Sequence, residues 1–316
     1  MHAPPHLGHR AHYRHEALLV DGLDEFLDRA VPFVTEGADA DEPVMVALIE
    51  DHWAPLRAAL GSVAERVHHV DMGSLGRNPA RIIPAWKDFV ARHRRTGRPM
   101  RGIGEPIWAG RRRAELEECQ LHEALLNVAL PPQTPLWLLC PYDVGSLGDD
   151  VVEEALRSHP TLSDVAATAP SARFGGAHHA VGLWEQGLAA PSGAVEEYRF
   201  RRGDLAALRV VVRTRAAGTT MSTARVEDLT LAVNELAANS LDHGGGRGVL
   251  RLWSEPGAFL CEVQDSGRIA DPLVGRTTPA ADQPRGRGVW MVHQLCDLVQ
   301  IRSTPTGTVV RVHSWV

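Results

Sequence analysis

The run Leu229–His243, LTLAVNELAANSLDH, decides how the C-terminal part of this chain folds. At 3.6 residues per turn, Val226, Leu229, Val233 and Leu236 share one helical stripe, while Asp228, Glu235, Asn239 and Asp242 gather on the other side. Glu235 and Asn239 lie one turn apart, so a carboxylate and an amide point the same way. Ala232 and Ala238 leave room beside them. Taken alone, this is the solvated face of an amphipathic helix. Its meaning comes from its neighbours.

Ser222 is placed to cap this helix, and Gly244-Gly245-Gly246 to end it. Upstream, residues 196–202 alternate as a short strand, and Asp204 caps a helix that Gly218 stops near Ala217. Downstream, Gly248–Glu255 and Ala258–Asp265 form a hairpin turning on Glu255-Pro256-Gly257. A loop of about 20 residues, Ser266–Arg285, is long enough to be functional. A helix over Val289–Asp297 and the strand pair LVQIRS and TVVRVHSW follow. The sum is an α/β sandwich with a mainly antiparallel sheet.

Four signals then fall in order. Glu235 and Asn239 share a helix face. Asp265-Ser266-Gly267 ends a buried strand, where the carboxylate can accept from an exocyclic amine and the glycine lets a flat ring approach the backbone. Arg285-Gly286-Arg287-Gly288 opens a helix, offering free N–H groups and two guanidinium groups to a phosphate. Gly307-Thr308 enters the last strand with a hydroxyl. Each is weak alone; the order and setting carry the weight.

This order resembles the GHKL ATPase family over about residues 197–316. AVNELAANSLDHG is similar to its N box, QDSG to its first glycine box, and GRGVWMVHQLCD to its second. DPLVGR and the continuation into LVQIRS resemble the actinobacterial anti-sigma regulatory subgroup of serine kinases. The resemblance implies ATP and Mg²⁺ as cofactors. Glu235 would be the general base and Asn239 the Mg²⁺ ligand. Asp265 and Gly267 would read adenine. Arg285, Gly286, Arg287 and Gly288 would wrap the phosphates, and Thr308 would support the adenine end. Asp242 stands before His243 where such proteins often carry arginine, which puts a phosphate contact there in doubt.

The N-terminal half reads differently. Val44–Ile49, Val67–Met72 and Leu136–Cys140 are buried strands, with an extended stretch at Met100–Gly104. Trp53–Leu60, Pro79–Arg94, Arg112–Leu130 and Asp149–Ser158 are helices. Such alternation implies a mainly parallel sheet. No GxxxxGK[ST] phosphate cradle is present. His2, His6, His9, His12 and His15, the last four at a spacing of three, could line up imidazoles for a metal but read more simply as a disordered or exposed lead-in, and the Arg92–Arg101 cations as a solvated face. Cys119, His122 and Glu123 share a helix face, as a ligand or redox cluster or, more simply, a core cysteine beside a hydrogen-bonded histidine. RGIGEPIWAGR, ECQLHEALLN, LLCPYD and EALRSHP resemble the MEDS sensory domain over about residues 9–165. That resemblance implies a RecA/KaiC-like α/β fold without its P-loop and a role in signal input.

The domain plan is therefore a MEDS-like sensory domain at 1–165, an Ala/Gly/Pro/Ser-rich linker at 166–195, and a GHKL ATP-binding domain at 196–316. Trp253 and Trp315 are placed on edge strands, as interface or core residues. A formal charge of −6 argues against electrostatic nucleic-acid binding. Four scattered cysteines, no apolar signal core and no 18-residue apolar run indicate a cytoplasmic protein with no membrane span. No histidine-phosphoacceptor helix pair precedes the ATPase module. The expected function is an anti-sigma regulator whose serine/threonine kinase module acts on a STAS-type anti-anti-sigma partner and binds a sigma factor, with a homodimer possible in such modules. The alternatives are a non-catalytic partner-binding protein, or a metal or haem sensor built on the N-terminal half.

Overall fold

The computed structural model describes residues 12–279 and 286–316, so Arg285 and the histidines before His12 lie outside the described residues. The chain divides into two compact units that part between Ala180 and Val181. The first contains β1 (Arg14–Val20), α1 (Gly22–Asp39), β2 (Val44–Leu48), α2 (Glu50–Leu60), β3 (Val67–Asp71), α3 (Met72–Leu75) and α4 (Ile82–His93). It continues through β4 (Met100–Gly104), α5 (Arg113–Ala129), β5 (Leu136–Asp143), α6 (Asp149–Ser158), β6 (Thr161–Ser163) and β7 (Thr168–Pro170). The units part within α7 (Gly176–Glu185).

The sheet order is β3-β2-β4-β5-β1-β6-β7, and every pairing is parallel except β6 with β7. Its strands are near-continuous apolar runs because both faces are covered; all five residues of β2 and of β4 are buried. Leu18, Val34, Val46, Leu56 and Ile103 form one apolar cluster. A single residue, Asp21, separates β1 from α1, so no glycine-rich phosphate loop fits at this strand end.

Three expectations for this unit are corrected. His15 is no exposed lead-in: it lies on interior strand β1 and is fully buried. Arg101 is no solvated cation but a buried one, its Nε 2.6 Å from the buried Glu42 carboxylate and its NH1 donating to Phe33 O at 2.8 Å. Such burial is tolerated because the charge is paired and hydrogen-bonded. Within the segment read as linker, β7 pairs with β6 and α7 forms despite its glycines, burying Ala180 and Trp184 one turn apart.

The second unit contains β8 (Glu196–Arg201), α8 (Leu205–Ala217), α9 (Thr223–His243), β9 (Arg247–Glu255), β10 (Ala258–Asp265), α10 (Gly288–Leu295), β11 (Leu298–Thr304) and β12 (Gly307–Trp315). Its wholly antiparallel sheet runs β11-β12-β10-β9-β8. Gly218 ends α8 and the Ser222 hydroxyl accepts from Arg225 N at the start of α9, as the sequence indicates, whereas the Asp204 carboxylate before α8 accepts from Arg201 N at 3.0 Å and caps no helix N–H. α10 ends two residues before Asp297, whose carboxylate instead accepts from Trp315 N at 2.9 Å. Neither tryptophan is on an edge: β9 and β12 are interior strands, and Trp253 and Trp315 pack in one cluster with Leu260.

Gly102 on β4 gives the first unit a sharp packing test. A Cβ there would lie 2.5 Å from the ring of Trp86, a buried residue of α4. Gly102→Ala is expected to cost about 1–3 kcal/mol, read as a lower urea midpoint with unchanged m-value.

Candidate functional site

Strand register builds the site. Asp265 at the end of β10 faces Thr308 on β12, and Thr308 faces Ser303 on β11. Three polar residues thus line up across three strands. The Thr308 hydroxyl donates to Gly267 O at 2.9 Å and meets the Ser303 hydroxyl at 2.8 Å, which in turn accepts from Ile269 N at 2.8 Å. Thr308 is buried and so braces the turn after β10.

The Asp265 carboxylate is fixed on both oxygens. Oδ1 accepts from Gly267 N at 2.7 Å, and Oδ2 accepts from the Ser240 hydroxyl of α9 at 2.5 Å. A carboxylate has about four lone-pair directions, so acceptor capacity remains for a ligand amine. Gly244, at the end of α9, comes so close that a Cβ would lie 2.3 Å from Asp265 Cγ. Gly267 is equally confined, with a Cβ at 2.7 Å from His243 O. Here the absence of a side chain lets helix end and strand end meet.

Glu235 and Asn239 sit half-buried on α9, and neither side chain has a hydrogen-bond partner among the described residues. A helix face committed to structure would have spent these groups on neighbours. α10 begins against them: a Cβ on Gly288 would lie 3.2 Å from Glu235 Oε2 and 3.4 Å from Asn239 Nδ2. Arg287 is the exposed N-cap residue of α10, and Gly286 before it has φ +83°, a conformation that favours glycine.

These segments enclose one cavity of about 1100 Å³. Glu235, Asn239, Asp265 and Gly267 line it from α9 and β10. Gly286, Arg287, Gly288 and Thr308 line it from α10 and β12. All expected site residues inside the described range therefore share one space. Its size suits a ligand larger than a few atoms. The residues at hand fit a nucleotide with its cation: an anchored carboxylate, two unspent polar side chains, a helix start and close-approach glycines.

Two contributors escaped the sequence reading. Ser240 holds Asp265, and the signal was its place one helical turn before Gly244. Gly244 was read only as a helix stop. Asp242, the departure from the family pattern, pairs with Arg202 at 3.2 Å on the surface.

The other candidate cluster separates. Cys119 donates to Pro106 O at 3.2 Å, and burial pushes its thiol up to about 12, so it is held as a neutral core cysteine. Neither Cys119 nor His122 belongs to the set of metal-ligating side chains that converge in this unit.

Known proteins can now be compared. Residues 14–160 match the family model MEDS, the methanogen/methylotroph DcmR sensory domain, and residues 199–314 match the histidine kinase-like ATPase domain. No curated protein matches the chain. Among solved structures, the RsbU and RsbW domains of a Mycobacterium tuberculosis protein share 15% identity over 38% of this chain, with a TM-score of 0.29. The chain spans about a third of that structure, 32% of its length.

The glycine at 307 tests the turn geometry directly. It has φ +149°, and a Cβ would lie 2.3 Å from Asp265 O. Gly307→Ala is expected to destabilise the protein by about 1–3 kcal/mol, measured by denaturant unfolding.

Proposed function

For a chain that joins a MEDS sensory domain to a histidine kinase-like ATPase domain, we propose a signal-controlled, ATP-dependent serine/threonine protein kinase of the anti-sigma class. Its protein substrate would be a STAS-type anti-anti-sigma partner, and it would also bind a sigma factor. One observation carries this reading: Glu235 and Asn239 face the same cavity as the anchored Asp265 carboxylate, with no hydrogen bond of their own among the described residues.

The roles follow from position. Asp265, held by Ser240 and Gly267, accepts from the adenine amine, while Gly267 leaves space for the ring. Gly286 and Gly288 let the backbone at the start of α10 approach phosphate oxygens, and the Arg287 guanidinium adds positive charge there. Asn239 would hold Mg²⁺, which when bound with ATP neutralises charge on the phosphates. Glu235 takes the proton from the partner's seryl or threonyl hydroxyl as that oxygen attacks. Thr308 works through the turn it braces. The segment before β8 supports a substrate in trans, because α7 spans only ten residues and supplies no phosphoacceptor helix pair.

Glu235→Gln keeps the shape and removes the base. It is expected to slow phosphoryl transfer from Mg-ATP to a STAS partner by about 100- to 10,000-fold while leaving nucleotide affinity within a few-fold. Asp265→Ala is expected to weaken Mg-ATP binding by about 10- to 100-fold in calorimetric titration. Undiminished transfer by Glu235→Gln would remove the catalytic assignment and leave partner capture as the function.

A further inference from the structure

Away from the ATPase cavity, four side chains converge at the centre of the first unit. His15 on β1, Glu123 on α5, Cys140 on β5 and His159 just after α6 are all buried, with at most 1% of each exposed. Their ligating atoms lie within 4.8 Å of one another. His15 Nε2 is 3.0 Å from Glu123 Oε2, His159 Nε2 is 3.2 Å from the same oxygen, and Cys140 Sγ is 3.4 Å from His15 Nε2. The edge of a tetrahedron with metal–ligand bonds of about 2.0–2.3 Å is about 3.3–3.8 Å, so the set is near that spacing already.

The surrounding hydrogen bonds fix which way the imidazoles face. His159 Nδ1 is 2.9 Å from Ala155 O, which can only accept, so Nδ1 carries the proton. Asn127 Nδ2 donates to Ser158 O at 2.7 Å, which orients the amide and leaves Oδ1 to accept from His15 Nδ1 at 3.1 Å. Both rings therefore turn Nε2 toward the Glu123 carboxylate.

Nε2 of both rings thus converges on one buried carboxylate oxygen, at 3.0 and 3.2 Å. His159 Nε2 and Glu123 Oε1 have no hydrogen-bond partner among the described residues. Glu123 forms no ion pair with lysine or arginine among the described residues either. A buried carboxylate with one oxygen left unpartnered is a place where a bound cation is stabilising.

We propose that His15, Glu123, Cys140 and His159 form a binding site for one divalent transition-metal ion of the zinc class. Two neutral imidazoles, one carboxylate and one thiolate balance a dication to zero net charge. Nitrogen and sulfur donors select zinc-like ions over magnesium or calcium. Binding forms the metal–sulfur bond and releases the Cys140 thiol proton to solvent. Asn127 and the Ala155 carbonyl orient the two rings, as outer-shell partners do in metal sites. This site keeps Glu123 of the Cys119, His122 and Glu123 face suggested by helical spacing and leaves out the other two, and it does not depend on the kinase reading.

The test uses the full chain, stripped with a chelator and reloaded with Zn²⁺ or Co²⁺. One equivalent is expected to bind and to raise the melting temperature. The Co²⁺ form should show the intense visible bands of four-coordinate cobalt and a thiolate-to-cobalt charge-transfer band. Cys140→Ser should abolish the charge-transfer band, Cys119→Ser should keep it, and Glu123→Gln should weaken Zn²⁺ affinity at least tenfold. Asn127→Ala, which leaves all four donors in place, should weaken it about 10- to 100-fold. Wild-type protein with native circular dichroism that binds no metal would overturn the proposal. So would a charge-transfer band that survives Cys140→Ser or disappears in Cys119→Ser.

Discussion

The carboxylate of Asp265 ties the second unit together. One oxygen is held by a hydroxyl from α9, the other by the backbone of the turn that follows β10. That grip requires the end of α9 and the end of β10 to touch, and Gly244 and Gly267 permit it where any side chain would collide. The contact fixes the height of α9 over the sheet. Asn239 and Glu235 are carried about one and two turns back along the same helix, and they reach the cavity because that height is set. The bracing of the turn by Thr308 and Ser303 closes the arrangement from the sheet side.

The second unit was readable because its informative residues stand at element ends. The cap at Ser222, the stops at Gly218 and Gly244, and the Pro256-Gly257 turn all mark boundaries through local backbone chemistry. The order of the four polar signals then matched the order of the elements. What stayed hidden was long-range. Ser240 looks like a helix serine bonding back to Leu236 O, which it also does, and nothing local announces a carboxylate 25 positions later. Periodicity carries α10 two residues too far, because Asp297 continues the helical pattern while its carboxylate bonds to the backbone of β12.

The first unit was legible in its alternation and parallel sheet, and less so at its start. β1 carries Arg14, His15 and Glu16 among aliphatic residues, which obscures a buried strand. α1 has Pro32 inside it, a poor residue for a helix interior and a weak sign of one. Both elements are settled by tertiary contacts. Glu16 accepts from the Trp137 indole at 2.9 Å and pairs with Arg14 at 2.6 Å, so its burial is compensated partly by a partner that the sequence places far away. Periodicity reports which residues avoid water; it does not report a polar residue that finds all its partners inside.

The interior position of β1 also sets an order of events. This strand is made before both of its neighbours, pairing in parallel with β5, from Leu136 onward, and with β6, from Thr161. Its two neighbours are thus separated from it by more than a hundred positions, as the pairing of Arg14 with Trp137 shows. During synthesis the apolar run Ala17–Val20 has no sheet partner until β5 has emerged. Contacts of such high sequence separation form slowly, because loop closure precedes any reward from pairing. The first unit is therefore unable to complete its sheet piecemeal, and its early strand is the segment most in need of shelter while the rest of the unit is being made.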